Sequence, residues 1–493
     1  MDSMNWPVVY PEIWLLVLAC AVLLVDLWSR DAERRPTFWL TQAAIAGFAL
    51  LHAMRFAEGD TAYGMGGMVV VDPMGHLLAA FAGLAVMVTL AYARPTLASR
   101  DMLKGEFYLL ALFVLLGISV MCSANHFLVV YLGLELMSLS LYALVALRRD
   151  HAVATEAAMK YFVLGALASG FLLYGLSMMY GATGTLEIPR VFEAIAAGGI
   201  NREVLVLGIV FVVAGLAFKL GAAPFHMWVP DVYQGAPTAV TLLIGGAPKF
   251  AAFAITIRLL VEGMLGLAVD WQQMFVVLAV ASLAIGNVAA IAQSNLKRML
   301  AYSTIAQMGF VVLGLSAGVV SGNTLSAGNA YSSALFYIVA YVLTTLGTFG
   351  LIMVLSRQGF ESEHIADLAG LARRSPWIAG VMTVFMFSLA GVPPMVGFFA
   401  KLSVIQALVT TNVAGYIVLA IVAVLFSLVG AFYYLRVVKV MWFDEPVQTA
   451  PVLHTQGVGA LLAANGAAVL LFGLFSGGLM ALCRDAIVRT LAG

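Results

Sequence analysis

The sequence predicts an all-α polytopic membrane protein of about 14 transmembrane helices, with two inverted five-helix repeats that each contain a proline-broken helix. Three observations predict this architecture: an apolar composition, the regular spacing of the apolar stretches, and two proline-interrupted stretches in matching positions. Of the 493 residues, 63% are hydrophobic and 10% are charged, whereas soluble domains are about 45–50% apolar. Most of the chain is therefore expected to lie in lipid.

Apolar stretches of about 20 residues, the length that crosses a bilayer as a helix, divide the chain into four parts. We expect a three-helix group in residues 1–104, a first five-helix repeat in 105–262, a second and inverted repeat in 263–442, and a C-terminal helix in 443–493. The predicted spans are residues 8–28, 37–57, 73–93, 105–122, 126–147, 155–180, 204–228, 234–261, 271–293, 297–315, 329–355, 377–409, 413–442 and 455–482.

Basic residues concentrate in every second connection between these spans. Because Lys and Arg accumulate in cytoplasmic loops, the odd-numbered connections are predicted to be cytoplasmic, with both termini on the opposite side. The odd connections hold Arg30, Arg34, Arg35, Arg94, Arg100, Lys104, Arg148, Arg149, Lys297, Arg298, Arg357, Arg373, Arg374, Arg436 and Lys439, against Arg55, Arg190, Arg202, Arg484 and Arg489 elsewhere in the loops and C-terminal tail.

Prolines interrupt the fourth helix of each repeat, at Pro224 in the first and at Pro393 and Pro394 in the second. Proline removes a backbone donor, and in lipid the groups it frees must find protein or water partners. One such kink is common in membrane helices. Two at matching positions, each near a lysine, indicate helix breaks of the kind that inverted-repeat transporters place at their binding sites.

Four charged side chains, Glu135, Lys219, Lys249 and Lys401, lie deep within predicted spans. Each costs about 2.5–3.5 kcal/mol at the bilayer centre unless it is paired or hydrated, which favours a functional role. Lys160 lies about a turn and a half inside its helix, where an interfacial and a functional role are equally plausible. Arg258 lies near a helix end, and its long side chain is expected to extend to the membrane interface.

These charges suit proton transfer better than the binding of metal ions. A lysine removed from water loses its preference for the charged form, and a nearby carboxylate restores that preference. A contact between Glu135 and Lys219 that forms and breaks would therefore act as a proton switch. A sodium site would need several oxygen ligands together, and no span contains such a cluster. Polar residues that could hold water between the lysines, or serve only in helix packing, are Tyr302, Ser303, Thr304, Gln307 and Tyr331.

The histidines and cysteines give weaker signals. His226 follows the first break, where it could relay protons at an entrance or equally well fix a loop. For His52, His76 and His126, placement at the interfacial ends of spans is a sufficient explanation. The cysteines have no metal-binding or disulfide spacing and are expected to be buried free thiols; they are Cys20, Cys122 and Cys483. The formal net charge of zero gives no footprint for nucleic acid.

Several motifs resemble the antiporter-like subunits of respiratory complex I, a family shared with Mrp-type cation/proton antiporters and membrane-bound hydrogenases. The longest is FKLGAAPFHMWVPDVYQGAPT, residues 218–238, which is similar to the signature of one branch of that family. Ala239 departs from it, because that branch has proline there. The other motifs are GLEL at 133–136, KRMLAYS at 297–303 and SLAGVPP at 388–394, followed by Lys401.

The resemblance implies a proton relay through Glu135, Lys219, Lys249 and Lys401. It also implies that the chain is a proton-translocating part of an NADH:quinone oxidoreductase in a bacterial inner membrane, with other complex I membrane subunits as partners. FMN, iron–sulfur clusters and NADH would bind to those partner subunits, since this chain has no Gly-rich phosphate loop and no cysteine cluster. The alternatives are an Mrp-type antiporter that works without a redox complex and a scaffold that only seals a complex in lipid.

Overall fold

The computed structural model of the protein describes residues 4–320, 322–356, 360–446, 452 and 455–492. In that part of the chain, 13 helices are long and apolar enough to cross a membrane. Arg357, one of the basic residues assigned to the cytoplasmic connections, lies outside the described residues.

The N-terminal group consists of three long helices and a small hairpin. After a 3-10 turn at Trp6–Val9, the chain forms α1, α2, the antiparallel strands β1 and β2 with Ala62 opposite Val71, and α3. Asp72 starts α3, because its carboxylate accepts a hydrogen bond from the backbone N of Gly75 at 2.7 Å, which satisfies one of the free donors of the first turn. The bounds are α1 Tyr10–Trp28, α2 Arg35–Glu58, β1 Ala62–Gly64, β2 Val69–Val71 and α3 Pro73–Ala98.

The next part of the chain has eight helices and contains the first predicted break. Where a single span was expected over residues 204–228, the structure has α8, an irregular segment and the short α9. The helix α11 continues into a π-helix at Ile257–Gly263. The bounds are α4 Gly105–Cys122, α5 Phe127–Val145, α6 Ala152–Thr183, α7 Ile188–Ala197, α8 Arg202–Leu220, α9 Trp228–Gly235, α10 Thr238–Gly245 and α11 Pro248–Thr256.

The described residues of the following part of the chain form seven α-helices. The expected span over residues 377–409 is again two helices, α16 and α17, with the second break between them. Asn295 starts α13 by accepting a hydrogen bond from the backbone N of Arg298 at 2.9 Å. The bounds are α12 Ala268–Ile291, α13 Leu296–Leu315, α14 Ala327–Leu355, α15 Leu371–Arg374, α16 Pro376–Ala390, α17 Val396–Val409 and α18 Ala414–Phe443.

The predicted last span, residues 455–482, is wrong in its second half. The helix α19, Gln456–Leu474, ends eight residues earlier than residue 482, and a separate helix α20, Ser476–Ala492, follows. Phe475 leaves the helical conformation at the junction, and two glycines follow Ser476 at the start of the next helix, where their helix propensity is low. The helix α20 then packs against α3 and α14, and Asp485 and Arg489 form an ion pair of 2.8 Å along it.

Both described ends of the chain lie on the same face of the protein. The side chain of Asn5 donates to the backbone O of Tyr63 at 2.8 Å, and Thr490 Oγ1 accepts from the backbone N of Met74 at 3.0 Å. Tyr63 lies in β1 of the hairpin between α2 and α3, and Met74 lies at the start of α3, so the two ends meet at one connection. We call this side, defined by Asn5, Tyr63, Met74 and Thr490, the terminal face.

The centre of the protein is the run from α10 to the π-helix. All of the apolar window within Thr238–Gly263 is buried, whereas 17% of the corresponding window in α18 is buried. Other parts of the protein therefore surround this helical segment, which carries Lys249, on every side. The outer surface of α18 instead exposes apolar side chains such as Leu428 and Phe432, as expected for a surface that faces lipid or another membrane subunit.

Candidate functional site: lysines at two broken helices

The first break begins where α8 ends at Leu220. Gly221 follows with φ of 81°, a left-handed conformation that favours glycine. The backbone N atoms of Gly221 and Ala222 both donate to the O of Ala217, at 2.9 and 2.8 Å. This turn leaves the carbonyl of Leu220 without a partner in its own helix. Lys249 Nζ donates to that carbonyl at 2.8 Å.

The second break repeats this arrangement. The helix α16 ends at Ala390, and Gly391 has φ of 84°. The backbone N atoms of Gly391 and Val392 donate to the O of Phe387 at 3.0 and 2.9 Å. Lys401 Nζ donates to the carbonyl of Ala390 at 2.9 Å. In both breaks, a lysine from a later helix thus binds the last carbonyl of the half-helix: Lys249 lies on α11 and Lys401 on α17.

This position suits an ammonium group electrostatically. The C-terminal end of a helix carries a partial negative charge, which favours a cation near its last carbonyls. Lys249 is 1% exposed and Lys401 is 8% exposed, so water shields neither charge. No carboxylate of a described residue forms an ion pair with either lysine; Lys401 has Ser427 Oγ as a second acceptor at 2.8 Å. The hydrogen bonds from both ammonium groups are therefore accepted by neutral oxygen atoms. A lysine bound in this way can release a proton without breaking an ion pair.

Lys219 lies on α8 and is bound differently from the other two lysines. Its Nζ donates to Ser138 Oγ on α5 at 2.8 Å. Glu135 lies three residues earlier on the same helix face, and its Oε1 is buried without a hydrogen-bond partner among the described protein atoms. The structure therefore shows no ion pair between Glu135 and Lys219. If the predicted contact is a switch, the structure has it in the open state.

A small cavity of about 20 Å³ lies between Lys219 and Lys249. Met121, Met137 and Trp228 are among its other lining residues. A cavity of this size has room for about one water molecule, and both lysines contribute to its wall.

A network of hydroxyl and amide groups leads to the second break. Gln307 Nε2 donates to the O of Leu389 at 3.1 Å, next to the carbonyl that Lys401 binds, and to Tyr434 at 3.0 Å. Tyr337 donates to the other end of Gln307. The remaining bonds are Ser303 to Tyr434 at 2.5 Å, Thr304 to Tyr341 at 2.8 Å and Thr344 to Ser388 at 3.1 Å.

Among the polar residues singled out in the sequence, Ser303, Thr304 and Gln307 belong to this network, whereas Tyr302 and Tyr331 do not. The sequence reasoning missed Tyr337, Tyr341 and Tyr434, since an isolated tyrosine in an apolar helix most often indicates packing. It also missed Ser138 and Ser427. Their helix positions carry no signal until the folded structure brings them to the lysines.

Lys160 lies in an ion cluster rather than beside the other lysines. Its Nζ is 2.7 Å from Asp231 and 2.8 Å from Glu156. Asp231 also pairs with Arg298 at 2.6 Å. The four side chains line a cavity of about 200 Å³. Burial opposes the ionisation of Asp231, but the hydrogen bonds from Lys160 and Arg298 outweigh it and lower the pKa of this carboxyl.

His226 lies in the connection between α8 and α9, just after the first break. It is partly exposed, and its Nδ1 is buried without a hydrogen-bond partner among the described atoms. No hydrogen bond joins it to Lys219, Lys249 or Lys160. The structure therefore does not bring His226 into the lysine site.

The expectation that Arg258 extends to the interface is wrong. It is 1% exposed and pairs with Asp72 at 2.6 Å and with Glu262 at 2.7 Å. Its Nη2 also donates to the backbone O of Cys122 at 3.0 Å. The cause is tertiary: the hairpin before α3 brings Asp72 against the end of α11, where the guanidinium finds its partners inside the protein.

His52 and His76 lie near the ends of α2 and α3, as expected, but they are buried against protein, at 3% and 4% exposed; their placement at the membrane interface stays a prediction. His126 lies at a helix end as expected, where it accepts a hydrogen bond from the backbone N of Leu128 at 3.2 Å. Cys122 and Cys483 are buried, but Cys20, also expected to be buried, is exposed on α1. Across the described ranges, His, Cys, Asp and Glu side chains form no group of three or more that could hold a metal ion.

Comparisons with known proteins identify the family of the chain. A family model described as NADH:quinone oxidoreductase/Mrp antiporter, TM, matches residues 124–427. The chain is 60% identical to NADH-quinone oxidoreductase subunit N of Herminiimonas arsenicoxydans over 100% of both chains. It is also 60% identical to the subunit N of Polaromonas naphthalenivorans, over 99% of this chain and 98% of that one.

Solved structures share the fold. A chain of respiratory complex I from Thermus thermophilus matches with a TM-score of 0.79 and 30% identity, over 97% of this chain and 100% of that chain. A chain of the Mrp complex from Dietzia sp. DQ12-45-1b matches with a TM-score of 0.84 over 99% and 98% of the two chains. At its 20% identity, the second likeness shows the fold alone.

The fold and the two lysine-capped breaks define an antiporter-like membrane subunit. The chain belongs to the family of NADH-quinone oxidoreductase subunit N, which its relatives match over nearly their whole length. The predicted family and the all-α polytopic fold are confirmed. The inverted relation of the two five-helix repeats stays a prediction.

Proposed function

We propose that the chain moves protons across the membrane as subunit N of an NADH:quinone oxidoreductase, through Glu135, Lys219, Lys249 and Lys401. Its partners are the other membrane subunits of complex I. NADH, FMN and iron–sulfur clusters would bind in other subunits, from which redox energy reaches this chain. The location is a bacterial inner membrane, with the terminal face on the periplasmic side.

The observation that carries this proposal is the pair of lysines that bind the last carbonyls of α8 and α16. A lysine costs several kcal/mol at membrane depth, and packing alone does not require two of them at equivalent breaks. Each Nζ is bound by neutral oxygens at 2.8–2.9 Å. A proton released from either lysine would weaken the bond that holds it to the half-helix. Proton transfer and the geometry of the break would therefore be coupled.

The proposed path starts at the cavity with Lys160 and Asp231, on the cytoplasmic side. It passes to Lys219 and Lys249, and then through the network around Gln307 and Tyr341 to Lys401. Lys160 serves at the entrance in this scheme, because its ion pairs hold it at the cavity wall. His226 has no assigned step.

We also propose that the first repeat covers residues 105–262 and the second covers 263–442, after an N-terminal group in 1–104 and before a C-terminal part in 443–493.

The test uses membrane vesicles that contain the assembled complex and a dye that reports proton uptake driven by NADH. Lys219→Ala removes one of the proposed carriers, and we expect uptake to fall at least about tenfold, since a positioned proton-transfer group typically contributes 10²–10⁴-fold. Gly380→Ala, on a helix surface with no atom within 4 Å of the added Cβ, is the control. Unchanged uptake in Lys219→Ala would refute the proposal.

The competing function is cation/proton exchange of the Mrp type. The fold likeness to the Mrp complex is compatible with it, but the relatives that cover nearly the whole chain are subunits N of the NADH-quinone oxidoreductase. Exchange would appear as Na⁺-driven proton movement in vesicles that contain this chain alone. We expect none, and clear exchange would favour the antiporter.

A further inference from the structure

The N-terminal group contains a buried polar cluster that the proposed lysine path does not use. It takes one side chain from each of four helices: Glu12 of α1, His52 of α2, His76 of α3 and Ser119 of α4. His52, His76 and Ser119 are 3%, 4% and 0% exposed, and the side chain of Glu12 is 12% exposed. Four ionisable or hydroxyl groups at one point of an apolar bundle need an explanation, because unpaired polar groups are costly there.

Hydrogen-bond distances connect the four side chains in one row. Ser119 Oγ donates to Glu12 Oε1 at 2.6 Å and lies 3.4 Å from His52 Nε2. On the other side of the same ring, His52 Nδ1 is 2.9 Å from His76 Nδ1. Oε2 of Glu12 is buried and has no partner among the described atoms. The row therefore runs from a carboxyl through a hydroxyl and one imidazole to a second imidazole.

The contact between the two rings restricts their protons. A distance of 2.9 Å is a hydrogen bond only if one Nδ1 carries a proton and the other presents a lone pair. Each neutral imidazole has one proton, so a proton that arrives at one ring nitrogen can leave from the other. Such a pair transmits a proton without either ring moving away, as in known histidine relays.

Charged groups surround the row on the side of the terminal face. Asp72 begins the helix that carries His76, and it pairs with Arg258, which also pairs with Glu262. Arg55 and Glu58 form a pair of 3.5 Å one turn beyond His52. The guanidinium of Arg489 on α20 lies beside Gly59 at the end of α2. Two carboxylates, Asp72 and Glu262, surround the one guanidinium of Arg258, and Glu58 balances Arg55. A proton held on the histidines therefore has compensating negative charge nearby.

We propose that Glu12, Ser119, His52 and His76 form a proton relay near the terminal face, in series with the proposed path. For transfer, Glu12 carries the proton and its bond to Ser119 reverses, so that the carboxyl donates to Ser119 Oγ and the rotated Ser119 hydroxyl donates to His52 Nε2. The Glu12 proton then passes to Ser119 as Ser119 gives its own hydroxyl proton to His52 Nε2. His52 then passes its Nδ1 proton to His76 Nδ1, and His76 releases its Nε2 proton to water at the terminal face. Glu12 is left as a carboxylate, one proton is released, and each intermediate group gains one proton and loses one.

The inference rests on the proposed function, and the two can be tested side by side. The assembled complex in membrane vesicles is assayed for NADH-driven proton uptake and for the amount of complex. The variants are His52→Phe, His76→Phe, the double variant and Lys219→Ala. Phenylalanine keeps a ring in the packed site but carries no exchangeable proton. Gln42→Leu is the control, because Gln42 is also buried on α2 but bonds to the O of Met87 at 3.1 Å, outside the row.

We expect each single histidine variant to slow proton uptake at least about tenfold, at a normal amount of complex. The double variant should be no slower than the slower single variant, because one missing link already stops the row. If phenylalanine lowers the amount of complex, Ser119→Ala breaks the row without replacing a ring and should give the same loss.

Two results would overturn the relay. One is uptake in both histidine variants and in Ser119→Ala at the rate of Gln42→Leu. The other is a double variant whose loss is the product of the single losses and follows the amount of complex, as a packing role predicts. If Lys219→Ala stops uptake while the histidine variants do not, only the relay is wrong. If Lys219→Ala has no effect, the proposed function itself fails.

Discussion

At the scale of single residues, the buried lysines differ in what holds them. Lys249 and Lys401 bind carbonyls at the ends of half-helices, whereas Lys219 binds the hydroxyl of Ser138. A serine hydroxyl can rotate and act as donor or acceptor. Lys219 is therefore the lysine with the most freedom to exchange its partner, and Glu135 lies on the same helix face as Ser138.

Ser138→Ala is predicted to slow proton uptake by about tenfold, which corresponds to about 1.4 kcal/mol, because a hydrogen bond to a charged group contributes about 1.5–3 kcal/mol. Without the hydroxyl, Lys219 has Glu135 as its nearby alternative, and the switch is expected to stay closed. NADH-driven uptake in vesicles measures the effect. The control is Ser140→Ala on the same helix, since Ser140 bonds only to its own backbone, at the O of Leu136. Equal rates in the two variants would contradict this role.

The sequence predicted the deep charges from their cost in lipid, and the structure shows that Lys249 and Lys401 are indeed enclosed. It could not predict Ser138 or Ser427, because a serine in an apolar helix is ordinary until a lysine reaches it. The error on Arg258 has a related origin. Its partner Asp72 is far away in the sequence, and nothing local indicates that the two side chains meet.

At the scale of helices, the breaks combine a left-handed glycine with a lysine that binds the freed carbonyl. The turn at Gly221 and the turn at Gly391 have φ values within a few degrees of each other. In both, two successive backbone N atoms donate to one carbonyl. The same local backbone geometry therefore ends a helix inside the protein at both breaks.

Gly391→Ala is predicted to slow proton uptake more than Gly221→Ala does. Both substitutions place a side chain at positive φ, at about 1–2 kcal/mol. At Gly391 the added Cβ would also lie 2.8 Å from Lys401 Cδ, whereas at Gly221 the nearest atom would be Val229 Cγ2 at 3.1 Å. Gly391→Ala therefore displaces the lysine itself. Proton uptake and the amount of complex, compared with Gly380→Ala on α16, measure the effect.

An equal loss in the two glycine variants would show that backbone strain alone decides the outcome, and that the position of Lys401 does not.

The proline positions made both breaks predictable from the sequence. The end of α19 was not predictable, because the apolar stretch continues through Phe475 into α20. There the packing of α20 on α3 and α14, and not hydropathy, decides where the chain turns.

At the scale of the whole molecule, the structure separates an enclosed centre from an exposed periphery. Lys249 lies in the most deeply enclosed run, between the first break and the network that leads to Lys401. The long exposed faces of α6 and α18, with apolar residues such as Phe162 and Leu428, are available to lipid and to partner subunits. The polar side chains of the proposed path thus lie in the interior of the protein, between one break and the other.

The central claim is that the buried lysines work by releasing protons and not only by holding the broken helices together. Lys401→Arg tests it most directly in the assembled complex. A guanidinium can still donate to the carbonyl of Ala390 and to Ser427, but it does not give up its proton in proteins. The account predicts a normal amount of complex with a loss of NADH-driven proton uptake. Uptake at the rate of the unmodified complex would contradict it.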